Sequence, residues 1–245
     1  MKKILIIGAT SAIAQEVAKQ YSIEKSELIL VGRRRDFLDI IAQDLQVRGA
    51  SKVSVFAQDL NDFSLHHQLI EKIWGLAKKV DVVLLAHGVL GNQDKAEADQ
   101  GELLSILNSN FMSHASLLNE VAAKMKQQKS GTIAVISSVA GDRGKQSNYI
   151  YGAAQSAKST YADGLRNRLF PYSVNVITFK LGFVDTPMTK EFKKGALWAS
   201  PSGIAKGIVK SIEHGKNIVY LPFFWRYIMM IIKNIPEGIF KKLKM

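Results

Sequence analysis

An apolar run, Ile4-Leu5-Ile6-Ile7, meets Gly8-Ala9-Thr10-Ser11-Ala12-Ile13-Ala14, and helical spacing then continues through Ile13, Val17 and Tyr21. A glycine at such a turn lets backbone pass close to a ligand, and a helix N-terminus offers free N–H groups and partial positive charge to a pyrophosphate. Gly8, Thr10, Ser11, Ala12 and Ile13 are therefore expected to hold the phosphates of a dinucleotide. Ala12 and Ala14 stand where a G-x-x-x-G-x-G spacing would have glycine, so each adds one methyl group to the turn.

Gly32-Arg33-Arg34-Arg35 follows the second apolar run with no acidic residue at its tip. A carboxylate there would bind an adenosine ribose 2′-hydroxyl and repel a 2′-phosphate, whereas arginine pairs with that phosphate. Arg33 thus favours NADP(H) over NAD(H), and a bound anion offsets the cost of cations at a helix start. Asp59-Leu60 is placed for the adenine edge, and Ala86-His87-Gly88 supplies a glycine for close approach by the cofactor. His87 alone reads as a packed or solvent-facing residue. His66, His67, His114 and His214 lack metal-ligand spacing, so no catalytic metal is expected.

Ile136-Ser137-Ser138 ends the fifth apolar run, and Tyr151 follows thirteen residues after Ser138. With these residues the chain resembles the short-chain dehydrogenase/reductase family over residues 1 to about 220. The resemblance implies that Ser138 polarises a substrate carbonyl, Tyr151 exchanges the proton beside the cofactor, and Asn110 supports a proton relay. Leu181-Gly182-Phe183-Val184-Asp185-Thr186 is similar to the family's Pro-Gly-x-x-x-Thr segment, with leucine for proline. Gly182, Val184 and Thr186 are then expected beside the nicotinamide.

Gln155 stands where the family has a lysine that holds the ribose and lowers the tyrosine pKa. A free tyrosine titrates at about 10, and a cation about 4 Å away at an effective dielectric of about 20 contributes roughly 4 kcal/mol, about three pKa units. Glutamine can still bond the ribose hydroxyls but lacks that charge. The loss weighs most on oxidation, where tyrosine must act as a base. Lys158 lies nearly on the same helical face and leans toward the helix N-terminus, offering a partial substitute across about 10 Å.

The elements that position these residues follow from the apolar pattern. Runs at Lys3 to Ile7, Glu27 to Val31, Lys52 to Ala57, Asp81 to Ala86, Gly131 to Ser137, Val174 to Phe179 and Asn217 to Leu221 imply seven strands. Helical spacing lies between them, including Leu38/Ile41/Leu45, Leu65/Leu69/Ile73, Leu103/Leu107/Phe111/Leu118 and Tyr161/Leu165/Leu169. Apolar strands alternating with helices predict a single α/β doubly wound Rossmann domain, with a seven-stranded parallel sheet covered on both faces. Ligands in such a sheet sit beyond the strands' C-terminal ends.

The 245 residues, 47% hydrophobic and 22% charged, suit one core and exclude a disordered chain. The absence of cysteine excludes disulfides, thiolate chemistry and Cys-ligated zinc, and fits a reducing compartment. The apolar run after Met1-Lys2-Lys3 is too short for a signal peptide, so a cytoplasmic location is expected. A net charge of +12 attracts anions. With no nucleic-acid motif present, the cofactor and an anionic membrane are the expected partners.

Residues 222–245 form a separate apolar-basic tail after a domain spanning 1–221. Phe223 to Lys233 is too short and too charged to span a bilayer, but its aromatic, aliphatic and basic residues describe an amphipathic helix in an anionic interface or an oligomer contact. A homo-oligomer is expected. Ser137 to Gly144, Ser147 to Gly152 and the Pro-aromatic-Trp-Arg tail resemble the reductase subunits of decaprenylphosphoryl-ribose 2′-epimerases. That resemblance implies a peripheral membrane NAD(P)H-dependent ketoreductase of cell-envelope biogenesis, whose keto sugar rides on a polyprenyl phosphate and is made by a flavin-type oxidase partner. The alternatives are reduction of a small soluble carbonyl compound, with the tail serving oligomerisation, and a cofactor-binding, non-catalytic subunit marked by Gln155.

Overall fold

A computed structural model describes residues 1–244. The strands are β1 (Lys3–Ile7), β2 (Glu27–Gly32), β3 (Lys52–Ala57), β4 (Val82–Leu85), β5 (Gly131–Ser138), β6 (Val174–Leu181) and β7 (Ile218–Leu221). The helices are α1 (Ala12–Ile23), α2 (Arg35–Val47), α3 (His66–Ala77), α4 (Gln93–Ala98), α5 (Gln100–Leu107), α6 (Ser113–Gln128), α7 (Tyr149–Leu169), α8 (Pro201–Glu213), α9 (Trp225–Asn234) and α10 (Glu237–Phe240).

The sheet order is β3-β2-β1-β4-β5-β6-β7, with parallel pairing between neighbours. Strand residues alternate between two cores. Ile4 and Ile6 pack toward α1, α2 and α8, while Leu5 and Ile7 pack toward α3, α6 and α7. β1, β2 and β4 are nearly or wholly inaccessible because both faces are covered, which is why their sequences are continuously apolar instead of alternating.

The chain order reverses between β1 and β4, so the loops leaving these strands diverge and open a crevice at the sheet's C-terminal edge. Several boundaries differ from the sequence expectation by one or two residues. β4 is one residue shorter at each end, and at its start the Asp81 carboxylate accepts from the Lys3 backbone N–H at 2.8 Å. β5 and β6 run further, and their last pair joins Ser138 to Leu181. The single helical run expected from Leu103 to Leu118 is divided into α5 and α6 by a π-turn at Asn108–Met112.

The tail packs back onto the domain: Trp225 and Met229 of α9, four residues apart, pack with Val139 of the loop after β5. Arg143 of the same loop donates to the carbonyls of Ile232 and Ile235 at 2.6 and 2.7 Å, ion-pairs with Glu237 at 2.9 Å and lies 3.5 Å from the Phe240 ring centre. Among the described residues, no helix is long and apolar enough to cross a membrane.

Candidate active site

The crevice widens into a cavity of about 450 Å³. Every residue that the sequence nominated for binding or chemistry lines it. At its floor Gly8 adopts φ +85°, and a Cβ there would fall 2.5 Å from the His87 backbone nitrogen. Glycine therefore lets the tips of β1 and β4 close on each other. Thr10 follows in the turn, and Ser11 caps α1 without using its hydroxyl on the helix. Ala12 and Ile13 open that helix and leave its first N–H groups directed at the cavity mouth.

The three arginines after β2 have separate fates. Arg35 pairs with Asp39 at 2.9 Å, and Arg34 stacks over the Phe37 ring at 4.7 Å. Arg33 lines the cavity, exposed and outside every ion pair among the described residues. Asp59 accepts from the Asn61 backbone at 3.0 Å, while Leu60 is buried beside it. Ala86 and Gly88 border the same wall, and a Cβ on Gly88 would meet Asn110 Oδ1 at 2.6 Å. A main-chain cradle, a close-approach glycine and one unpaired arginine fit a phosphorylated dinucleotide.

Asn110 sits on the π-turn, a distortion frequent at functional sites. Its amide donates to the carbonyls of Val89 at 2.7 Å and Ile106 at 2.9 Å, and its Oδ1 accepts from the Val89 N–H at 3.2 Å. Gln155 Nε2 donates to the same Oδ1 at 3.3 Å, leaving Gln155 Oε1 buried without a partner. The glutamine therefore presents an acceptor to the cavity, where a lysine would present donors and charge.

Ser138 accepts from the Ala140 N–H at 3.1 Å and makes only a long donation, 3.4 Å, to the Leu181 carbonyl. Its proton is accordingly available to a ligand. Burial pushes the Tyr151 phenol up to about 12, and the neighbouring Ser138 hydroxyl only partly opposes the rise. A phenol in this state is an acid and not a base at neutral pH.

Gly182, directly beyond the Ser138–Leu181 pair, lies under Trp225: a Cβ would fall 1.9 Å from the indole nitrogen. Val184 is buried beside it, and Thr186 caps the short turn Pro187–Thr189. Phe183 stacks on Trp198 at 5.3 Å and meets Trp225 edge-on at 5.2 Å. Asn61, Lys145, Asn148 and Trp225 also line the cavity, with no role assigned to them there from sequence, and Lys158, read as a partial substitute for the missing lysine, lines it too. Trp225 belongs to the Pro-aromatic-Trp-Arg segment of the tail, but some forty residues separate it from Thr186, and its return to the cavity carries no signal in sequence. His87 is buried against Ser113, its Nε2 at 2.9 Å from that hydroxyl, in keeping with a packed role. Among the described residues, no group of three or more His, Cys, Asp or Glu is placed to hold a metal ion.

A doubly wound sheet with a dinucleotide cradle at its switch point and a serine–tyrosine pair above it defines an oxidoreductase site. The short chain dehydrogenase family profile matches residues 2–196, and the chain belongs to that family of NAD(P)-dependent oxidoreductases. An uncharacterised oxidoreductase of Mycobacterium tuberculosis is 28% identical over 240 residues, spanning 98% of this chain and 96% of that one. Another, from Streptomyces coelicolor, is 27% identical over 243 residues, spanning 99% and 96%. The crystal structure of an actinorhodin polyketide ketoreductase variant with NADPH superposes with a TM-score of 0.81 at 18% identity, covering 96% of this chain and 98% of that one.

Proposed function

We propose that the protein is an NADPH-dependent ketoreductase acting on a keto sugar carried by a polyprenyl phosphate, at the inner face of the plasma membrane. The observation that carries the reductive direction is Tyr151, kept protonated by burial beside Ser138 with no cation at position 155. A dinucleotide held by Gly8, the opening of α1 and Arg33 would supply the hydride for the carbonyl carbon. The Ser138 hydroxyl donates to the carbonyl oxygen and holds it, Tyr151 passes its phenolic proton to that oxygen as it becomes an alcohol, and Gln155 Oε1 accepts from a ribose hydroxyl. Proton donation of this kind contributes typically ~10²–10⁴-fold.

NADP(H) is preferred because Arg33 is the arginine left unpaired at the tip of β2. The actinorhodin enzyme's NADPH is consistent with that choice. A hydroxylated substrate suits two orphaned groups in the cavity: Asn148 Oδ1, a buried acceptor, and Trp225 Nε1, a buried donor. Lys145, partly buried and in no ion pair among the described residues, lines the cavity and would bind the carrier phosphate. α9 links this wall to the surface, since Trp225 and Met229 face inward while Tyr227, Met230 and Ile231 face out among Arg226 and Lys233. An anionic membrane would meet that outer face, and an oxidase partner there would make the keto sugar for cell-envelope glycan synthesis.

The test is NADPH oxidation with a lipid-linked 2-keto pentofuranose and with small soluble ketones. Turnover of the lipid-linked sugar that Tyr151→Phe abolishes is expected. Turnover of soluble ketones alone would remove the lipid carrier, and an unchanged rate in Tyr151→Phe would overturn the proton-donor assignment. Co-sedimentation with anionic vesicles, lost in the full-length double variant Met230→Glu/Ile231→Glu, tests the surface. Equal binding by that variant would refute it.

A further inference from the structure

Lys158 is a buried cation in the site that the mechanism above does not use. It is 2% exposed, lies on α7 three residues beyond Gln155, and lines the same cavity as Gln155 and Tyr151. No carboxylate, carbonyl or hydroxyl binds its ammonium among the described residues, and burial alone pulls its pKa down to about 7. A lysine buried without a counter-charge opposes folding, and strongly desolvated ionisable groups in a cleft mark functional positions.

The groups facing it from the neighbouring elements are neutral. His87 follows β4 and His114 sits on α6, their rings stacked 3.8 Å apart. The His114 Nε2 bonds the His87 carbonyl at 2.8 Å, so that nitrogen carries the proton. Ser113 gives its own proton to the Leu60 carbonyl at 2.5 Å, and must accept from His87 Nε2. Both rings therefore keep a bare Nδ1 lone pair, and each Nδ1 is buried without a partner. Burial first keeps both imidazoles from protonating, followed by the Lys158 charge for His87 and by His87 and then Lys158 for His114. Gln155 Oε1 is a third orphaned acceptor. Three bare lone pairs thus share this part of the site with one three-proton cation and no anion.

We propose that Lys158 is the positioning cation of this active site, supplying from one turn deeper in α7 the charge that Gln155 lacks. The role of a single lysine is divided: Gln155 takes the hydrogen bond to the ribose, and Lys158 stabilises the developing tyrosinate of Tyr151 through its field. The proposal rests on the ketoreductase reading of Tyr151. Across about 10 Å at an effective dielectric of about 20, such a charge shifts Tyr151 by about one pKa unit, a tenfold effect.

The experiment compares Lys158→Met, Lys158→Arg and Gln155→Lys/Lys158→Met. Lys158→Met should fold, lower kcat about tenfold and leave substrate KM within about twofold. Lys158→Arg should retain most of the rate, and Gln155→Lys should restore it in the methionine background. Independently of turnover, the lysines are reductively methylated with ¹³C-formaldehyde. The Lys158 resonance, assigned by its absence in Lys158→Met, should titrate near neutrality and shift when NADPH is added. A resonance unmoved by NADPH, or full kcat in Lys158→Met, would overturn the proposal. An active Tyr151→Phe would fail the proton-donor reading and this proposal with it, whereas full kcat in Lys158→Met beside an inactive Tyr151→Phe would fail this proposal alone.

Discussion

The two ends of the cavity are built on different principles. The cofactor end is made of main chain and local sequence: Gly8 at φ +85°, the opening of α1, and Arg33 just past β2. The substrate end is assembled from remote segments. Ser138 closes β5, Tyr151 opens α7, Gly182 follows β6 and Trp225 comes back from the tail. The cofactor end leaves accessible groups free, the Ser11 hydroxyl and the Arg33 guanidinium, whereas the substrate end and the deep face of α7 hold buried polar atoms without partners, Asn148 Oδ1, Trp225 Nε1 and Gln155 Oε1. Cofactor binding uses a standing main-chain cradle; a particular substrate is met by buried polar atoms left bare, because their partners arrive with the ligand.

The largest effect that would sharpen this contrast is at Tyr151. Tyr151→Phe should lower kcat by ~10²–10⁴-fold while NADPH affinity, followed by cofactor fluorescence, changes little. Trp225→Ala should destabilise the fold by about 3–5 kcal/mol in denaturant unfolding, as for other buried tryptophans, and raise substrate KM more than NADPH Kd. If it weakens NADPH as much as substrate, the two ends are not separable.

Arg33→Glu acts at the other end. Reversing a charge that faces a 2′-phosphate should weaken NADPH about 10–100-fold and leave NADH nearly unaffected, since charge-assisted contacts contribute about 1.5–3 kcal/mol. Equal losses for both cofactors would move the phosphate site to another residue.

The smallest effect is in pH. Lys158 titrates near 10.5 when unfolded and about 7 when folded, so between these values the unfolded chain binds more protons. Stability should therefore rise with pH from about 7 toward 10.5 and carry the full burial penalty below 7. In urea titrations at pH 6.5 and 9.0 that difference should shrink in Lys158→Met. Activity moves the opposite way: the stabilising charge is lost as pH rises through about 7, and kcat should fall with it.

Much of the cofactor end was legible before folding, because its signals are contiguous. The apolar runs predicted all seven strands to within two residues at each end, as strands covered on both faces must be apolar throughout. Ser138 and Tyr151 were legible through their spacing. Sequence nominated Arg33 by its place directly after β2; the structure adds that Asp39 takes Arg35 and the Phe37 ring takes Arg34. Sequence alone left Asn110 inside a continuous helix, because a π-turn is one extra residue in a hydrogen-bond ladder and leaves the apolar spacing nearly intact.

The sequence by itself determined the sheet, the order of its ligand-bearing tips and the missing charge at Gln155, all of which depend on residues near one another in the chain. Only the tertiary structure decided that Lys158 is buried with two neutral imidazoles, that α9 covers Gly182 with Trp225, and that Arg143 clasps the tail. The physical reason is that burial and desolvation are set by what packs from elsewhere in the chain. The sequence could place Lys158 near the face of Tyr151, but only the packing of β4 and α6 over it shows that its ammonium is desolvated.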